Sequence, residues 1–103
     1  MDVKNLEALT EYQTDSVVSK TITGKKNGTV TLFAFDKGQG LSEHTAPFDA
    51  MVYIADGEAK ITLDGTHSDI KKGEFVILPA NIPHAVFAKE KFKMMLVMIK
   101  GTD

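Results

Sequence analysis

Chain-reversal signals recur through this sequence at intervals too short for most helices, and that spacing limits the fold more than any other feature. Asn27-Gly28, Asp56-Gly57 and Asp64-Gly65 each pair a residue tolerant of positive φ with glycine, and Gly24, Gly73 and Pro79 add further breaks. The stretches between them read as strands. Val17 to Ile22 is β-branched, and Asn27-Gly28 is expected to turn it into Thr29 to Phe35, an apolar strand buried on both faces. Glu58 to Leu63 alternates, with Ala59, Ile61 and Leu63 on one face and Glu58, Lys60 and Thr62 on the other. Asp64-Gly65 closes a hairpin into Thr66 to Ile70; Phe75 to Leu78, Ala85 to Phe87 and Phe92 to Ile99 follow. Only Asn5 to Tyr12, with Leu6 and Leu9 at helical spacing, predicts a helical turn, and it is too short to stand unpacked. About nine short strands with such turns predict an all-β sandwich or barrel.

The 103 residues suit one domain over residues 1–103 with a single modest core. All 12 basic residues are lysine and the net charge is -2. A chain so weakly charged lacks the basic surface that nucleic acid demands, and without arginine it lacks the fork that clamps carboxylates and phosphates. The absence of cysteine excludes disulfides, thiolate nucleophiles and Cys-type metal sites. The first residues carry no apolar signal stretch, and no run approaches the ~20 apolar residues that cross a bilayer. A cytoplasmic protein with no membrane partner is expected.

Two stretches carry the chemistry. In residues 38–57, Gly38, His44, Ala46, Ala50 and Gly57 hold the spacing G-x5-H-x-H-x3,4-E-x6-G; in residues 73–88, Gly73, Pro79, Asn81, His84 and Ala88 hold G-x5-P-x-G-x2-H-x3-N. Together they resemble the two motifs of the cupin superfamily, which implies a small β-barrel, the jelly roll or double-stranded β-helix. In metal-binding members the two histidines and the glutamate of the first motif and the histidine of the second ligate one divalent ion.

Carried over residue by residue, those four positions are His44, Ala46, Ala50 and His84, so two ligands have become methyl groups. Catalytic metal sites generally keep three protein ligands. His44 and His84 alone would hold at most a weakly bound divalent ion, completed by water or ligand atoms. Glu43 and Asp49 neighbour ligand positions, but strand alternation points both away from the cavity unless a bulge near Pro47 re-aims Asp49. The same parity puts His44, Ala46, Ala50, Val52 and Ile54 on one face, joined by His84 and Val86. The result is an apolar pocket with two imidazole anchors, suited to a small molecule. The principal alternative is a metal-dependent cupin enzyme of dioxygenase, isomerase or decarboxylase type with a third ligand from outside the motifs.

Other candidates have plainer readings. His67 is expected at a solvated hairpin tip, and Lys89, Lys91 and Lys93 on a wet strand face. Phe33, Phe35 and Phe48 read as core; Met51, Met94, Met95 and Met98 read as core packing or an interface. Small stand-alone proteins of the family resembled usually pair through their sheets, and the apolar two-faced C-terminal strand independently predicts a homodimer.

Overall fold

The computed structural model describes residues 1–100. Its strands are β1 (Val17–Lys25), β2 (Gly28–Phe35), β3 (Gly40–His44), β4 (Asp49–Asp56), β5 (Glu58–Leu63), β6 (Thr66–Lys71), β7 (Phe75–Leu78), β8 (His84–Phe87) and β9 (Phe92–Ile99). All observed pairings are antiparallel, in a five-stranded sheet ordered β1-β2-β9-β4-β7 and a four-stranded sheet ordered β3-β8-β5-β6. The expected N-terminal helical segment is a single 3₁₀ turn, Leu6–Leu9, capped by the Asn5 side chain, which accepts from the Ala8 amide at 3.3 Å. No helix among the described residues is long and apolar enough to cross a membrane.

The three glycine turns divide into three different devices. Asp64 and Gly65 have φ of 50° and 81° and leave Leu63 paired with Thr66, the two-residue hairpin the sequence predicts. Asn27-Gly28 does not form the expected turn. Lys25 pairs with Gly28, so the loop is Lys26-Asn27, and neither Asn27 nor Gly28 has positive φ. Gly28 serves instead as a strand residue held close to β9, where an added Cβ would lie 3.0 Å from the Met98 carbonyl oxygen. Gly57, at φ +73°, carries the chain from one sheet to the other, and an added Cβ there would lie 2.5 Å from the Lys91 carbonyl oxygen.

Alternation in β4 and β5 builds the core. Ala50, Val52 and Ile54 meet Ala59 and Ile61 inside, with Leu78, Val86, Ala88, Phe92 and Met94 completing the cluster. Fully burying one such aliphatic or aromatic side chain contributes about 1.5–3 kcal/mol, so this face fixes the strand register. At one end Phe35 and Phe92, cross-strand partners and both fully buried, stack with ring centroids 4.6 Å apart.

The outer face of the five-stranded sheet departs from expectation at Lys93. Rather than lying on a wet face, Lys93 is 9% exposed, and its ammonium donates to the Glu7 and Thr10 carbonyls. Tyr12 covers it, with Lys93 Nζ 5.1 Å from the ring centroid, and the Tyr12 hydroxyl donates to Asp56. Burial, then the Asp56 carboxylate, raises the Tyr12 phenol pKa well above its ordinary value. This clasp ties the N-terminal segment to β9. Further along the same face Phe75, Ile77 and Ile99 are exposed.

Candidate functional site

His44 ends β3, His84 begins β8, and the ladder pairs them directly. Three steps along β3 from Leu41 to His44 match two along β8 from Val86 to His84, which is a β-bulge around Ser42 and Glu43. That extra residue turns Leu41 and His44 to the same side although their separation is odd. Leu41 packs on the core and His44 meets His84. The bulge lies within β3, ahead of Pro47, and acts on His44 rather than on Asp49.

The two rings stand edge to face, with centroids 4.4 Å apart and planes at 73°. His44 is exposed, whereas His84 is 7% exposed. Each Nδ1 faces a carbonyl two residues back: Ser42 for His44 at 2.7 Å and Ile82 for His84 at 3.2 Å. A carbonyl oxygen only accepts, so both Nδ1 atoms carry hydrogen and donate. The tautomers are thereby fixed, and the Nε2 atoms meet at 3.1 Å with their lone pairs converging. A bond between them requires one added proton. Burial, and to a smaller extent the charge of His44, lowers the His84 pKa, although the Ile82 carbonyl opposes this.

The apolar positions expected to line the pocket are mostly packed into the core. Val52 and Val86 are buried in the core, Ala50 is 5% exposed, and Ala46 is half-buried. Register adds two neighbours the sequence did not reveal: Leu63 stands across the ladder from His84, and Met98 across from Ala50. Strand periodicity shows which residues share a face but not which strands adjoin, so neither neighbour left a signal in the letters.

Outside the pair, candidate ligands are committed elsewhere. Asp49 Oδ1 accepts from the Ala80 amide at 2.8 Å, Glu43 is exposed, and His67 is exposed on β6 with Nδ1 2.7 Å from Thr62 Oγ1. Among the described residues, no three His, Cys, Asp or Glu side chains form a group able to hold a metal ion. Two nitrogens beside two methyl groups do not fit the closed ligand set of a resident metal centre. A separate recess of about 180 Å³, bordered by Leu6, Tyr53, Ala55 and Lys72, involves neither histidine.

No curated protein matches the chain. Among solved structures it is similar to a conserved protein of unknown function from Streptococcus pyogenes, at 36% identity and a TM-score of 0.93, covering 99% of this chain and 90% of that one. A cupin 2 conserved barrel domain protein from Leptotrichia buccalis is 47% identical with a TM-score of 0.91. That match covers 94% of this chain but 47% of the other, so this chain spans about half its length. A cupin superfamily protein from Desulfitobacterium hafniense is 29% identical over 93% of this chain and 88% of that one, with a TM-score of 0.90. The cupin domain family model matches residues 31–100, a span that contains both histidine motifs and the strands presenting them, and the chain belongs to the cupin family.

Proposed function

We propose that this cupin binds a small molecule through the His44–His84 pair, without a resident metal ion. The supporting observation is the approach of the two Nε2 atoms to 3.1 Å while each Nδ1 faces a carbonyl, which assigns the lone pairs to Nε2. A neutral pair of this kind is a double acceptor. It suits a ligand that presents a hydroxyl, amine or other donor to the pair and apolar surface to Ala50, Val52 and Val86. A proton competes with such a ligand for the same two nitrogens, so binding strengthens as the pair becomes neutral.

Soaking crystals in a panel of small alcohols, phenols and amines tests the reading. Density bridging the two Nε2 atoms, together with ligand-induced shifts of both nitrogens that His44→Ala and His84→Ala abolish, supports it. Occupancy confined to other parts of the molecule overturns it.

The metal-dependent reading is supported by one feature of the pair. Two nitrogens 3.1 Å apart span adjacent ligand positions around an ion at roughly 2.0–2.1 Å from each. A third donor would have to come from water or substrate. A His44→Ala-sensitive thermal shift on adding Fe(II), Mn(II), Ni(II), Cu(II) or Zn(II) favours this second reading.

We also propose that the protein is a homodimer joined through the outer face of its five-stranded sheet. Register sets Ile77, Met51, Val97 and Val30 side by side across four strands, with Phe75, Tyr53 and Met95 in the next row, which runs on to the fully buried Leu32. Neither row contains a charge on these four strands; Lys20 lies beyond Leu32 on β1. A second copy would cover the exposed Phe75 and Ile77.

A further inference from the structure

The chain between β7 and β8, residues 79–83, carries the carbonyl that orients His84, and it is itself suspended from other elements. Asn81 donates its amide to the Ala46 carbonyl at 2.7 Å, and Pro83 accepts from the Asp64 amide at 2.8 Å. The third support is a side chain: Asp49 Oδ1 accepts from the Ala80 amide at 2.8 Å. Asn81 adopts φ of 65°, an uncommon conformation for a residue other than glycine that local bonds must hold in place. Two residues beyond Ala80, the Ile82 carbonyl receives the His84 Nδ1 hydrogen.

We infer that Asp49 is a positioning residue for His84: its carboxylate holds residues 80–82 so that the Ile82 carbonyl fixes the His84 tautomer and directs Nε2 at His44. This deepens the proposed binding role of the histidine pair and rests on it. The chemistry favours an anion at position 49, because a carboxylate accepting from a backbone amide makes a charge-assisted hydrogen bond, stronger than a neutral one. The neighbouring ring supplies an internal control. His44 takes its orientation from Ser42 on its own strand, two residues away, and residues 79–83 reach its side of the site only through the Asn81 amide on the Ala46 carbonyl, a bond that does not involve Asp49.

Imidazole nitrogen chemical shifts separate a protonated nitrogen from one bearing a lone pair, and amide exchange reads the Ala80 bond directly. In the unliganded wild-type protein at a pH where the pair is neutral, His44 and His84 should both be Nδ1-protonated. In Asp49→Ala, the Ala80 amide should exchange at least about tenfold faster, the loss expected for a hydrogen bond worth about 1.4 kcal/mol. His84 should become a mixture of tautomers, while His44 keeps the wild-type pattern. Asp49→Asn retains an acceptor oxygen and should restore a single His84 tautomer. Wild-type shifts at His84 in Asp49→Ala, equal changes at both histidines, or failure of Asp49→Asn to restore the tautomer overturn the assignment. A wild-type protein whose His84 is Nε2-protonated instead refutes the reading of the pair itself, an outcome visible before any substitution is made.

Discussion

His44 and His84 each spend one ring nitrogen on a backbone carbonyl and direct the other at its counterpart, 3.1 Å away. The arrangement makes the protonation state of the pair a chemical variable rather than a background detail. Neutral, it offers two acceptors; singly protonated, it closes on itself.

Stability should follow the same variable. Burial, followed by the charge of His44, lowers the folded-state pKa of His84 below its ordinary 6.5, although the Ile82 carbonyl opposes this. The unfolded chain therefore binds the proton more readily. The contribution of His84 is complete above about 6.5 and is lost as pH falls through the depressed folded value. Melting temperature measured across this range should decline on acidification, and His84→Gln should flatten the decline. Identical pH profiles for the two proteins would exclude His84 as the source.

Restoring the missing donors should restore metal affinity. Ala46→His with Ala50→Glu supplies an imidazole and a carboxylate beside the existing pair. Ala50 is buried across from Leu78 and Met98, so an uncompensated glutamate there should cost several kcal/mol. The double variant should melt below wild type when metal-free and recover on adding Zn(II) or Ni(II), with affinity rising by orders of magnitude. Calorimetric titration showing no tighter binding than wild type would mean that the first motif is out of register.

Disrupting the two apolar rows on the outer sheet face should change mass rather than fold. Ile77→Glu places a carboxylate in the row formed with Met51, Val97 and Val30. Light scattering should find wild type as a dimer and Ile77→Glu as a monomer with unchanged strand content. Equal masses for the two proteins would refute the interface.

Two glycines with similar dihedral angles should respond differently to alanine. Gly57 and Gly65 have φ of +73° and +81°, but an added Cβ at Gly65 meets open space while at Gly57 it meets the Lys91 carbonyl oxygen. Gly65→Ala should cost about 1–2 kcal/mol from backbone strain alone. Gly57→Ala carries the clash as well and should exceed ~3 kcal/mol. Denaturant midpoints should rank the proteins accordingly.

These contrasts show what the letters encode and what they leave to the tertiary structure. Alternation in Glu58 to Leu63 placed Ala59 and Ile61 in the core, and motif spacing singled out the two histidines, because period and spacing are local properties. The turn at Asn27-Gly28 was misread because closeness to Met98, a contact made 70 residues later in the chain, decides the role of Gly28. Lys93 looked solvent-facing for the same reason: the carbonyls that bury it belong to Glu7 and Thr10. At the site, the bulge in β3 and the carbonyls of Ser42 and Ile82 belong to the backbone, which carries no side-chain signature.

The Phe35–Phe92 stack has a consequence for access. Two fully buried rings close the strands where β2 ends and β9 begins, while His44, the last residue of β3, is exposed. A guest bound to the histidine pair as proposed would arrive and depart past His44, so substitutions of that ring should alter its association and its release together.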